Sequence, residues 1–513
     1  MSEASTCSPS LLRYSPAVIL FIAAVADASR FADPDLWGHI LYGNQVIARH
    51  GLVFTNPYSY SAPGCPWRTH EWMSELALAW VYGHFGVIGL KLMKFVCALA
   101  ITVCLALSVA ETGATPALQL ATLLISALTI GPSMQFRPQL FDFIFLSAVL
   151  ALLARDIYRK RAPLWVVVPI MALWSNLHGG FFVGLAVLAI YSAMRGVVDL
   201  ARSEGLGHSL KLSGLLLVSA AATLANPLGI ETWSAVVDQV TNPITRHIIG
   251  DWLPLLFVMR ESWRSGQAGN LEFAIVLAAM GVTIVSFFAS PRLKDLPLFA
   301  IAMAMIAAAF ASIRNVALAG IAIAGPLARH GSLLLASRAS ARVVPTPQRA
   351  RPLQQGVVVL VTLALMIETG LFSRNLSDRG YPAGAVAFIR THDLHGRILN
   401  KAEWGGFLEW HLYPQCLVYI DSRYDLVYPE EVILDYAYFY KNTNRAADVL
   451  RKYPPDYVLI APDEHDYEYM SHQPGWVMMY SDNEAALFER AGSTAALPAP
   501  KPAFAQAPDH YFP

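Results

Sequence analysis

The sequence predicts an α-helical polytopic membrane protein of about eleven spans, carrying a C-terminal extracytoplasmic α/β domain. Composition is the first ground. Of the 513 residues, 55% are hydrophobic and 14% charged, and mean hydropathy is +0.43, whereas a soluble domain carries about a quarter charged residues. The second is a series of apolar runs at eleven places, each near the roughly 17–25 residues that a bilayer demands, with some shortening at kinks. The third is loop charge: counted from Arg13, the Lys- and Arg-rich loops all fall on one side, as short cytoplasmic loops do. The formal net charge of zero is no argument for nucleic acid, and no nucleic-acid partner is expected.

In chain order the spans are expected at 15–31, 87–110, 117–133, 141–158, 163–177, 180–198, 210–228, 271–290, 295–313, 316–333 and 355–373. The apolar stretch 73–85 is too short to cross and reads as a re-entrant or interfacial helix leading into the second span. The opening run has the outline of a signal peptide, but Asp27 and Arg30 stand where a small-residue cleavage site belongs, which favours a retained span. The basic loops are Arg155 to Arg161, 195–211 (Arg195, Arg202, Lys211), 292–294 (Arg292, Lys294) and 329–351 (Arg329, Arg338, Arg342, Arg349, Arg351). A cytoplasmic N-terminus places all four inside, and an odd number of spans puts the C-terminus outside. The transmembrane domain is then 1–375 with outer loops 32–72 and 229–270. A soluble domain follows over 376–492, and 493–513, rich in Ala and Pro, reads as disordered.

Within the tail, a helix is expected near 382–393, a strand at Ile398-Leu399-Asn400 and a strand-like run from Phe407 to Leu412. Cys416 to Asp421 reads as a buried strand ending in an acid, followed by a helix near 429–452, the strand Tyr457-Val458-Leu459-Ile460 and an apolar segment ending near Phe488. Alternating strands and helices suggest a small parallel or mixed sheet. The five cysteines give no framework, although Cys65 and Cys416 would share an oxidising compartment. No Cys/His spacing supplies the three or four ligands of a zinc site.

The most informative motif is Asp33-Pro34-Asp35-Leu36-Trp37-Gly38-His39, directly after the first span. Asp33 suits a helix N-cap and Pro34 a helix start. Residues 35–50 then read as an amphipathic helix with Leu36, Ile40, Val46 and Ile47 on its apolar side. A capped interfacial helix accounts for Asp33 without chemistry. It accounts less well for Asp35 and His39, which lie four apart on one face and suit a general base acting on a hydroxyl or amine. The same loop ends in Trp67-Arg68-Thr69-His70-Glu71-Trp72. It is either an aromatic belt or a substrate contact through Arg68, His70 and Glu71. Arg137, Asn176 with His178, and Arg314 with Asn315 stand at outer span ends. Each alone fits a helix-end hydrogen bond. Together on one side they fit a shared cavity, and two arginines near an acidic motif suit a lipid-linked phosphate or pyrophosphate. In the tail, Asp421 and Arg423 read first as a pair pinning a loop.

One span, an acidic Asp-x-Asp-like motif opening the first outer loop, many further spans and an outer C-terminal domain resemble the GT-C superfamily of polytopic membrane glycosyltransferases. Within it the chain looks most like a bacterial group with Asp-Pro-Asp-Leu-Trp (33–37), His-Glu-Trp (70–72), Asn-x-His-Gly-Gly (176–180), Trp-Gly-Gly (404–406) and Asp-x-Arg (421–423). The resemblance implies a bacterial inner membrane, a polyprenyl-phosphate-linked sugar donor, inverting transfer and an envelope glycan, lipid or protein acceptor. It carries Asp33 and Asp35 over to the reacting centre. Asp35 would be the base or, with Asp33, a ligand of a divalent metal if the enzyme is similar to the metal-dependent oligosaccharyltransferases. No second acidic motif follows apart from Asp142, Asp238 and Asp251. Arg137, His178 and Arg314 are expected at the donor phosphate. Two rival readings are a lipid-linked sugar flippase, which predicts an inverted repeat that the sequence does not display, and a non-catalytic scaffold subunit.

Overall fold

A computed structural model describes residues 33–159, 162–265, 270–338, 380–441 and 445–492. The expected spans 15–31 and 355–373 and the tail 493–513 lie outside these residues. Helices fall on the nine remaining expected spans. Trp72–Glu111, Pro116–Ser133, Phe181–Ala201, Leu293–Ala311 and Ile313–Ser337 are long and apolar enough to cross a membrane, and Leu164–Leu177 and Phe273–Ala289 are shorter apolar helices. This is a multi-pass membrane protein. A helix satisfies every interior backbone group within itself, which is what hydrocarbon requires. Gly207–Ala222 ends six residues short of the expected 228. There Asn226 takes over, accepting from Leu228 N and donating to Ser175 O at 2.7 Å.

Trp72–Glu111 has 40 residues, about 60 Å at 1.5 Å per residue and twice the ~30 Å of a hydrocarbon core. Gly86 resolves this. At φ 60°, ψ −154° it breaks the helix in a conformation that only glycine adopts easily. Residues 72–85 therefore form a segment of their own, packed on the helix Leu36–Arg49, in line with the expected short helix.

Leu36–Arg49 buries Leu36 and Ile40 as expected, but also Trp37, Gly38, Tyr42 and Gly43, while Ile47 is 39% exposed. The helix is gripped from two sides rather than resting on one apolar face. On one side, a Cβ at Gly43 would stand 2.1 Å from Glu75 O. On the other, a Cβ at Gly406 would meet Gly38 N and Pro34 O at 3.2 Å.

The C-terminal part holds a five-stranded mixed sheet in the order β2-β1-β3-β5-β4. Its strands are β1 (Gly396–Asn400), β2 (Cys416–Val418), β3 (Tyr457–Ile460), β4 (Trp476–Ser481) and β5 (Ala486–Arg490). β1 pairs in parallel with β2 and β3, and the β4–β5 hairpin adds antiparallel to β3. The run Phe407–Leu412, expected as a strand, is the last half of the helix Ala402–Leu412. Its alternation is overridden because Trp404, Phe407, Leu408 and Leu412 bury a three-to-four-residue spacing. The helix expected over 429–452 is two, Glu430–Lys441 and Ala446–Lys452. Cys65 and Cys416 are free thiols, so no bridge joins them.

The segment between Arg49 and Trp72 completes the sheet edge. Val418 N donates to Tyr58 O and Tyr60 N to Val418 O, both at 3.1 Å. One core cluster runs from Leu36, Trp37, Leu78 and Phe136 into Tyr381, Ile398 and Phe407. Trp37 meets Tyr381 and Phe407 edge-on at 4.4 and 5.0 Å between ring centres.

A Cβ at Gly405 would lie 2.5 Å from the Asp421 Cα. Gly405→Ala is expected to overpack this seam and cost about 2 kcal/mol. A lowered apparent Tm in detergent and earlier proteolytic release of the tail would show it. Gly205→Ala, with no atom within 4 Å of its Cβ, serves as the control that stays unchanged.

Candidate active site

Asp33 does not cap the helix as its position suggested. Its Oδ1 accepts the Asp35 amide at 3.0 Å, and the helix starts at Leu36 with no side-chain cap bond. The Asp33 carboxylate is thereby aimed at Arg137, whose Nε donates to both its oxygens at 2.8 and 2.9 Å. The same Nε lies 3.2 Å from Asp35 Oδ2, and Nη1 donates to Asp251 Oδ2 at 2.6 Å. Three carboxylates from the segments 32–72 and 229–270 thus converge on one guanidinium. Burial opposes the charge, but Asp35, Asp33 and Asp251 outweigh it and hold Arg137 protonated well above its ordinary range.

A second chain of charges runs alongside. Trp174 Nε1 donates to Asp142 Oδ1 at 2.6 Å, and Asp142 Oδ2 lies 2.6 Å from His178 Nδ1. The other ring nitrogen, Nε2, is 3.2 Å from Glu71 Oε1, which His70 Nε2 approaches to 3.6 Å. Gly180 is required here, because a Cβ would fall 2.3 Å from the Asp142 carboxyl. Burial works against charge on His178, yet Asp142 and then Glu71 raise its pKa. Burial likewise disfavours the Glu71 carboxylate, but His178, His70 and His39 lower its pKa. His39 Nδ1 sits 3.7 Å from Glu75 Oε1. Against burial, Glu75, Glu71 and Asp35 raise the His39 pKa to about 9.

Asp35, His39, Glu71, Arg137, His178 and Arg314 line one open pocket of about 740 Å³, closed over by Ser422, Arg423 and Leu426 of the tail. Arg314 stacks on Trp252 at 4.4 Å and donates from Nε to the Gln139 side-chain oxygen at 3.1 Å. The remaining candidates stand elsewhere. Asp33 is buried behind Arg137. Asn176 donates to Ala172 O and Ala225 O at 2.8 Å and accepts from Trp72, so its polar atoms tie helices together. Asn315 donates to Ala308 O. Arg68 pairs with Asp238 on the surface, 43% exposed, and His70 backs Glu71.

Asp251, Trp252 and Gln139 belong to the site and carried no motif of their own. The available signals were an acid beside a tryptophan in the second outer loop and a glutamine two residues after Arg137. Among the described residues no group of three or more His, Cys, Asp or Glu is arranged to hold a metal ion.

No protein-family model and no curated protein matches the sequence. The structure is similar to the AglB oligosaccharyltransferase of Archaeoglobus fulgidus in complex with an inhibitory peptide and a dolichol-phosphate. The TM-score is 0.58 at 11% identity, over 94% of this chain and 75% of that one. An oligosaccharyltransferase structure from the same organism, tethered to an acceptor peptide, aligns with a TM-score of 0.53 at 12% identity, over 95% and 74%. The chain has a GT-C fold. At such identity the GT-C likeness is one of architecture, so each residue's role here rests on the geometry above.

A histidine whose pKa rises on folding stabilises the fold fully below its unfolded value near 6.5 and loses that contribution as pH climbs through the folded value. For His39 the window is therefore 6.5 to about 9. Stability is expected to fall across it by on the order of 1–3 kcal/mol, with the apparent Tm dropping accordingly. His39→Gln should start lower and decline less, as read by thermal melts in detergent at stepped pH.

Proposed function

We propose that this protein is a membrane glycosyltransferase that moves a sugar from a polyprenyl-phosphate-linked donor to an envelope glycan, lipid or protein acceptor. We place the reaction at the outer face of a bacterial inner membrane, with the N-terminus inside and the C-terminal sheet outside. The observation that carries this reading is a pair of adjoining cavities. The polar pocket shares Gln139, Asp251 and Arg314 with a second cavity of about 810 Å³, whose wall includes Leu128, Phe273, Val276, Ile313 and Val316. A charged chamber opening onto an apolar groove beside membrane helices matches an isoprenoid phosphate, with an anionic head and a long hydrocarbon tail. The peptide and dolichol-phosphate complexes of the structurally similar oligosaccharyltransferase support the same class of ligand.

In this mechanism Arg314 holds the donor phosphate with two parallel hydrogen bonds, the strength of its planar fork. Trp252 and Gln139 fix its plane. Asp35, one quarter exposed to the pocket, removes the proton of the acceptor hydroxyl or amine as that atom attacks the anomeric carbon. The bond to the phosphate breaks, and the leaving phosphate gains negative charge that Arg314 and the raised-pKa His178 stabilise. Arg137, with Nε and Nη1 engaged by carboxylates, chiefly orients Asp35 in this scheme. A transport or scaffold role would retain lipid binding without turnover.

Native mass spectrometry of the detergent-purified protein with polyprenyl phosphate and its sugar adducts tests the reading. Arg314→Ala is expected to weaken binding at least tenfold, about 1.4 kcal/mol. Asp35→Asn should keep binding and lower turnover by roughly 10²–10⁴-fold. A wild type that binds no lipid phosphate would overturn the proposal, and full activity in Asp35→Asn would remove Asp35 from it.

A further inference from the structure

The Asp-x-Asp-like motif and the resemblance to metal-dependent oligosaccharyltransferases imply a divalent cation held by Asp33 and Asp35. The residues present do not fit one. The position that such an ion would take, between these two carboxylates and Asp251, is filled by the Arg137 guanidinium at 2.6–3.2 Å from their oxygens. Hard cations of this kind bind oxygen at about 2.0–2.6 Å and in larger numbers, so an ion sharing those oxygens would overlap the guanidinium and meet its permanent positive charge. Arg137 cannot easily withdraw. It is four-fifths buried, and its chain neighbour Phe136 is fully buried in the core cluster that contains Leu36 and Trp37.

We propose that Arg137 is the built-in cation of this site, taking the electrostatic place of a divalent metal so that the first-loop carboxylates recruit none. Arg137 is a positioning residue. It neutralises Asp33, fixes Asp35 toward the pocket and brings Asp251 over from the second outer loop. A fixed cation also binds differently from an exchangeable one. It keeps its geometry at any ion concentration, and with Nε and Nη1 committed to carboxylates it leaves the main hold on the phosphate to Arg314. Only the turnover arm of the test rests on the glycosyltransferase reading.

Mn²⁺ titration of the detergent-purified full-length chain, followed by the EPR signal of the free ion, tests the proposal directly. The wild type is expected to take up no Mn²⁺ beyond what Asp35→Asn takes up. Arg137→Ala uncovers three carboxylates and should gain a site for about one ion, weakened at least tenfold by adding Asp251→Asn. Uptake of one Mn²⁺ by the wild type that Asp35→Asn abolishes would overturn it. Should Arg137→Ala fail to fold, that wild-type comparison still decides. In the turnover arm, excess chelator is expected to leave sugar transfer unchanged, and a loss restored by Mn²⁺ would also overturn it. If no lipid donor is turned over at all, the proposed function fails while the Mn²⁺ titration retains its meaning.

Discussion

Three carboxylates packed around one guanidinium decide whether the first outer loop can sit at the mouth of the helical bundle. Asp33, Asp35 and Asp251 repel one another, and Arg137 offsets that repulsion, although burial still holds the Asp33 carboxyl above its usual range. Removing one partner of a buried pair costs about 3–5 kcal/mol, because the other charge is left unpaired. The side chains come from three places in the chain, after the first expected span, before the fourth and within the second outer loop. Arg137 thus ties together segments that surround the pocket, with Ser312 Oγ donating to Asp251 O at 2.8 Å to hold the second loop as well.

The tail depends on that placement. Its helix Ala402–Leu412 comes close to Leu36–Arg49 at Gly406, while Gly405 lets the Asp421 backbone approach from the sheet side. Behind the glycines lies a buried polar cluster in which Arg423 stacks on Tyr42 and Trp67 at 4.6 and 4.5 Å and pairs with Asp421. Tyr42 donates to Glu409 Oε2 at 2.7 Å. Burial, and then the neighbouring Asp421 carboxylate, raise the Glu409 pKa well above the usual range. The shift favours the protonated Glu409 carboxyl, which limits the charge buried beside Asp421. The reading of Asp421 and Arg423 as a loop pin holds, and the same pin carries Ser422 to the pocket.

Much of this was legible in the residues because hydrophobic period and loop charge are local signals. Apolar runs longer than a soluble helix locate the bundle, and Gly86 sits at the boundary expected between 73–85 and the following span. Tyr457–Ile460 is apolar at every position, short and β-branched at Val458 and Ile460, which suits an interior strand. What escaped depends on partners distant in sequence. Phe407–Leu412 alternates like a strand until its burial against Leu36–Arg49 is known. Asp33 has the composition of an N-cap, but Arg137, 104 residues away, claims its oxygens. Asn176 stands in a glycine-flanked motif that suggests ligand binding, yet the backbone carbonyls of Ala172 and Ala225 use its amide. Asp251 became a site residue only when the second outer loop folded over the first.

The pairing of Tyr58 and Tyr60 with Val418 links backbones about 360 residues apart. At the usual pace of synthesis, roughly 5–20 residues per second, the first partner waits on the order of 20–70 s for the second to emerge. During that interval Trp37 lacks Tyr381 and Phe407, Tyr42 lacks Glu409 and the pocket has no roof. The first outer loop is thus an early-born half of a surface whose other half comes last, and the chain spends its biogenesis with that half unsatisfied. The apolar and polar groups of that half lose their exposure only when the last strands close.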